Sequence, residues 1–76
     1  MDLRKVFATN LRRWRNTRGL SQDDLAYEAG VSRSYLSQLE KGSFYASLKV
    51  IGRLAVALEV EPAELLRMPS QQRKSD

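Results

Sequence analysis

The stretch Ser21–Glu40, SQDDLAYEAGVSRSYLSQLE, reads as two short helices around a tight turn. Ser21 offers a hydroxyl that can accept from a free backbone N–H of a first helical turn. Asp23 and Asp24 put negative charge in that same turn, where the helix dipole favours it. Leu25, Ala26 and Ala29 make one apolar face, and Gly30 supplies the left-handed residue that ends the helix. Val31 fills the corner, and Ser32 caps a second helix at once. About three connecting residues remain, the geometry of a helix-turn-helix, whose two helices cross at roughly 90–120°. The second helix sends Leu36 and Leu39 inward. Its other faces carry Arg33, Ser34, Tyr35, Ser37 and Gln38, hydrogen-bonding and stacking groups that a purely structural helix does not need.

The flanking chain supplies walls for this unit. Leu3, Phe7, Leu11 and Trp14 recur at spacings of four, four and three, one stripe of a helix expected from about Leu3 to Arg18. Val6 and Asn10 flank the stripe, and Arg4, Lys5, Arg12 and Arg13 take the opposite face. Gly19 ends that helix and Leu20 turns the chain inward. Helices 2 and 3 are expected at Gln22–Ala29 and Arg33–Lys41, with Gly42 closing the latter. Ser47 caps a fourth helix, about Leu48–Leu58, with Leu48, Ile51, Leu54, Ala55 and Leu58 as its core face. Pro62 opens a fifth helix at a position where a missing N–H costs nothing, and Met68-Pro69 stops it. Residues 1–68 are therefore expected to form one domain, and the polar residues 69–76 a disordered tail.

Composition narrows the chemistry. Seventy-six residues allow one domain, near the lower end of what folds without a staple. The chain has no Cys and no His, so disulfides, thiolate chemistry and the usual zinc ligands are excluded. It has no phosphate-cradling Gly loop, and helix capping accounts for the paired carboxylates Asp23 and Asp24. Neither an enzyme nor a cofactor or metal protein is expected. No apolar run approaches the roughly 18 residues of a membrane span, and the N-terminus lacks a signal-peptide core, so a cytoplasmic protein is expected. The net charge of +4 is uneven: residues 1–18 hold six Arg/Lys against one Asp, and residues 19–40 one Arg against four acids. A basic domain concentrates near phosphates, although a basic helix face is as often simply solvated.

The run Gly19-Leu20-Ser21-Gln22, then Asp24-Leu25-Ala26, then Gly30 through Gly42 resembles the phage-repressor (Xre/Cro-type) helix-turn-helix family. Leu48, Leu54-Ala55, Ala57-Leu58, Val60 and Leu65-Leu66 extend the resemblance over roughly residues 7–67. It implies an all-α, five-helix domain of the lambda-repressor type. It also implies that Arg15 pairs with Glu40, fixing how helix 1 meets helix 3, and that Gln22 touches phosphate and braces the recognition helix. The chain departs from the family at Ser43-Phe44-Tyr45-Ala46, where the loop is usually polar and ends in Pro. One of the two aromatics is expected to pack under the loop and the other to lie against the DNA backbone.

In this motif the second helix enters the major groove with its N-terminal residues towards base edges. Ser32, Arg33, Ser34, Ser37 and Gln38 are the expected base contacts: Arg suits guanine, Gln suits adenine, and Ser permits close approach. Ser21, Gln22, Tyr35, Lys41 and Ser43 are the expected phosphate contacts. Apolar residues beyond those needed for the core predict a homodimer on a near-palindromic site, with Val56, Leu65, Leu66 and Met68 at its interface. The implied function is a small transcriptional regulator of double-stranded DNA, with RNA polymerase a further partner the resemblance allows. Among stand-alone members of the family, the Asp24–Tyr27 and Ser32–Ser37 runs look most like restriction–modification controllers. The competing reading is a protein-interaction module, such as an antitoxin-type partner, that binds DNA only weakly.

Overall fold

The computed structural model describes residues 1–68. The residues 69–76 expected as a tail lie outside that range. Four α-helices follow one another: α1 Leu3–Thr17, α2 Gln22–Ala29, α3 Arg33–Lys41 and α4 Leu48–Leu58. Each starts on a side-chain cap: Asp2, Ser21, Ser32 and Ser47 all accept a backbone N–H of the first turn. At α2 the cap is reciprocal, because the Asp24 carboxylate accepts the Ser21 N–H at 3.2 Å while Ser21 Oγ accepts the Asp24 N–H at 3.0 Å. Gly30 and Gly42 end α2 and α3 at φ 73° and 80°. α4 ends on Glu59, a non-glycine residue at φ 62°. Arg18 reaches across to the carbonyls exposed there, donating to Leu58 O at 2.7 Å and Glu59 O at 3.1 Å.

The expected fifth α-helix is a single 3₁₀ turn, Pro62–Leu65. Four residues opened by a proline cannot close a second turn of i→i+4 bonds, and Leu66 already departs from helical geometry with ψ near 6°. The turn is anchored from outside. Fully buried Asn10, on α1, donates to Leu65 O at 3.0 Å and Arg67 O at 2.8 Å. The Leu65 side chain lies in the core with no exposed surface. This overturns its expected place at a dimer interface, since a side chain already inside its own chain offers nothing to a second copy.

α1 packs on α3, α2 on α4, and the 3₁₀ turn closes the gap between α1 and α4. The core between them is Phe7, Leu11, Leu25, Ala26, Ala29, Leu36, Leu39, Ile51, Leu54, Ala55, Leu58 and Leu65. Trp14 lies half-buried against it, with the Arg13 and Arg18 guanidinium groups over its ring. Leu3 and Leu48 depart from their expected core positions, at 45 % and 83 % exposed. Both are the first residues of their helices. A helical Cβ tilts towards the N-terminus, so a first-turn side chain projects past the end of the packed surface.

Candidate nucleic-acid interface

The centre of the polar side of the fold is Glu40, in the last turn of α3 and only 4 % exposed. A carboxylate so buried must be paired. Arg15 of α1 meets it bidentately, Nε to Oε2 at 2.7 Å and Nη2 to Oε1 at 3.0 Å. Those bonds hold the guanidinium pKa above its ordinary value. Arg15 also donates to Leu20 O at 2.9 Å, and Gln22 Nε2 donates to Glu40 Oε1 at 3.0 Å. One buried carboxylate thus ties α1, the chain entering α2, and the first residue of α2 to α3. Arg12 adds a hydrogen bond to the Glu40 carbonyl. The pose of α3 is set by charge-assisted bonds with fixed directions, not by greasy contact alone.

The outer side of α3 is where the polar residues gather. Arg33, Ser34, Ser37 and Gln38 line one shallow hollow of about 510 Å³. Their spacing of one, three and one keeps them on neighbouring rows of the helix. Ser32 sits at the edge of this face, its Oγ accepting the Tyr35 N–H at 3.0 Å and its own O–H left to donate. Arg33 makes a loose, exposed contact of 3.5 Å with Asp23. Such a pair contributes little in water and leaves the guanidinium accessible.

The expected phosphate contacts divide into two groups. At the start of α2, Ser21 is occupied by its capping box, and the Gln22 side chain is turned towards Glu40. The donors that remain there are the first-turn N–H groups, Gln22 and Asp23 among them, which have no intrahelical acceptor. At the far end of α3, Lys41 and Ser43 are exposed. Tyr35 is half-buried and stacks on Phe44, ring centroids 6.1 Å apart and planes 29° from parallel. Phe44 therefore packs along α3. Tyr45 is 70 % exposed and turned to α1, where Arg4 lies 4.9 Å above its ring.

The apolar surplus is on another side. Leu3, Arg4, Phe44, Tyr45, Leu48 and Leu66 rim a hollow of about 190 Å³ floored by Phe7, Ala46 and Ile51. Val56, 79 % exposed, lines a separate and wider hollow between α2 and α4, with Tyr27, Lys49, Gly52 and Arg53. Val56 and Leu66, expected on one interface, do not share a surface. Met68 is half-buried. Sequence reasoning missed Asn10 and Arg18: an Asn flanking an apolar stripe signals burial, but nothing local says which carbonyls it meets. Among the described residues no group of three or more acidic or other ligating side chains could hold a metal ion, and no helix is long and apolar enough to cross a membrane.

Comparison with known proteins agrees with this geometry. Residues 6–68 match the model of a helix-turn-helix domain family. The crystal structure of a hypothetical transcription factor from Neisseria superposes with a TM-score of 0.90 at 38 % identity, over 96 % of this chain and 82 % of that one. The restriction–modification controller protein C.AhdI from Aeromonas hydrophila is 44 % identical with a TM-score of 0.79, over 82 % of this chain and 94 % of that one. The controller protein C.Esp1396I, solved as a tetramer with its natural 35-base-pair operator, is 25 % identical with a TM-score of 0.75, over 88 % of this chain and 99 % of that one.

Proposed function

This chain belongs to the helix-turn-helix domain family, and from that premise we propose that it is a sequence-specific transcriptional regulator, reading double-stranded DNA as a homodimer. The observation that carries the reading is the coupling of the α3 face to Glu40. Arg33, Ser34, Ser37 and Gln38 share one outward hollow, while the inner end of the same helix is locked to α1 and α2. A helix held in that way can enter the major groove as a rigid body, with Arg33 donating to guanine and Gln38 pairing with adenine. The first-turn N–H groups of α2 and the Lys41–Ser43 end of α3 hold phosphates on either side. That a related controller was solved in complex with its natural operator supports DNA as the partner, and regulation at a restriction–modification locus is the most specific role the relatives suggest.

One recognition helix reads only a few base pairs, each worth about 1–3 kcal/mol. A two-fold dimer doubles the reading and imposes a near-palindromic site. The seam the structure favours is the Leu3, Phe44, Tyr45, Leu48 and Leu66 rim. It is favoured by the 83 % exposure of Leu48, whose side chain lines that hollow. The exposed Tyr27 and Val56 hollow favours a second reading, a surface for a protein partner such as a toxin or RNA polymerase subunit. Selection of bound duplexes from a random pool tests the main reading. The expected outcome is enrichment of an inverted repeat with half-sites about 10–10.5 base pairs apart. Recovery of unenriched sequence would leave the protein-partner reading standing in its place.

A further inference from the structure

A hollow of about 220 Å³ between α1 and the end of α3 is lined by Lys5, Ala8, Thr9, Arg12 and Lys41. Three of the five are cations, one is a hydroxyl donor, and none is a carboxylate. The buried Glu40 nearby is already engaged by Arg15 and Gln22. None of the three cations has a carboxylate partner among the described residues. Arg12 is spent on the Glu40 carbonyl, a bond that ties α1 to the negative end of the α3 dipole. The Lys5 and Lys41 ammonium groups are not used in that way. The stem of Lys5 crosses directly over Gly42: an atom at the Cβ position of that glycine would lie 3.6 Å from Lys5 Cγ. This brings Lys5 to the helix end that Lys41 occupies.

The hollow also lies in line with the reading face. Lys41 follows Ser37 by four residues and Gln38 by three, so it lies one turn further along the same side of α3. We propose that Lys5, Thr9 and Lys41 form a phosphodiester-binding site that extends the DNA contact from α3 onto α1. Like charges gathered in one hollow repel until an anion lies between them, and a backbone phosphate accepts from ammonium and hydroxyl donors together. The inference rests on the DNA-binding reading and enlarges its footprint: helix 1, otherwise a structural wall, becomes a clamp on the strand beyond the bases that α3 reads.

The test is the salt dependence of binding to a 30-base-pair duplex of random sequence, followed by fluorescence anisotropy on the full chain. Each phosphate contact adds about 0.9 to the slope of log affinity against log salt. Lys5→Gln is expected to lower that slope by about 1–2 for a dimer and to weaken binding several-fold, with Lys5→Arg restoring both. Thr9→Val is expected to weaken binding with the slope kept. Lys49→Gln removes the same charge from the α2–α4 hollow and is expected to leave the slope as it was. Equal slopes for Lys5→Gln and Lys49→Gln, with wild-type binding intact, would overturn the α1 site and leave the α3 reading standing. No salt-dependent binding by the wild type would overturn both.

Discussion

The α1–α2–α3 half and the α4–3₁₀ half of this small protein share one apolar core and differ in the polar bonds laid over it. In the first, a buried carboxylate collects bonds from Arg15 and Gln22, and its backbone carbonyl another from Arg12. In the second, Ile51, Leu54, Leu58 and Leu65 pack as hydrocarbon, and the polar work is left to two carbonyl clasps, Asn10 and Arg18. Directional bonds fix an orientation, and apolar packing tolerates small shifts. The directional bonds converge on α3, while exposed apolar side chains occur on both halves, Tyr27 on α2 and Leu48 and Val56 on α4. Substitutions on the two sides should therefore fail in different ways.

The largest effect is expected from Glu40→Ala. It strands the Arg15 guanidinium, 16 % exposed, without its partner and should cost about 3–5 kcal/mol. For so small a domain that is most of its stability. Urea denaturation checks it, and a midpoint close to wild type would mean the hub is dispensable. Asn10→Ala comes next, at about 1–3 kcal/mol, because it leaves the carbonyls of Leu65 and Arg67 without their donor. Its signature should be early hydrogen exchange in the 3₁₀ turn while α3 stays protected. Simultaneous loss of protection in both would erase the distinction between the halves.

Arg33→Ala should leave stability within about 0.5 kcal/mol and lose roughly 1–3 kcal/mol at the selected site, with relaxed preference at one or two base pairs. An equal loss on random DNA would make Arg33 a phosphate contact instead. Leu48→Gln should leave the monomer folded and shift sedimentation at micromolar concentration towards the monomer. The smallest effect belongs to pH. The Arg4 guanidinium and backbone N–H hold the Asp2 carboxylate below its ordinary value of 3.8. A depressed carboxylate stabilises the fold fully above its unfolded value and loses that contribution as pH falls through the folded one. Fraying of the first turn of α1, read by amide exchange, should thus appear only below about pH 4.

The pattern of what the sequence disclosed follows the same division. The bounds of α2 and α3 were legible to the residue, and those of α4 nearly so, because local chemistry sets them: a Ser cap opens each, and Gly closes two. The polar outer face of α3 was legible because polar residues at helical spacing have no core role. The second half depended on partners distant in the chain. Pro62 announces a helix start without saying that only one 3₁₀ turn follows. Leu3 and Leu48 fit an apolar period yet project beyond it as first-turn residues. Leu65 and Leu66 are adjacent leucines, and which of them is buried depends on packing against α1 and α4, where Asn10, 55 residues away, also holds the Leu65 carbonyl. The apolar rim at Leu3, Phe44, Tyr45, Leu48 and Leu66 is assembled from four separate segments, so no window of the sequence displays it.

The proposed function requires α3, posed by Glu40, to read specific bases as part of a two-fold dimer. It is tested most directly by titrating the selected duplex, the same duplex with one half-site scrambled, and a fully scrambled duplex at physiological salt, with stoichiometry followed by sedimentation. Two chains are expected on the intact site, with an affinity about 10³-fold or more above the fully scrambled duplex, and an intermediate value when one half-site is lost. A single chain bound with the same affinity to all three duplexes would contradict it.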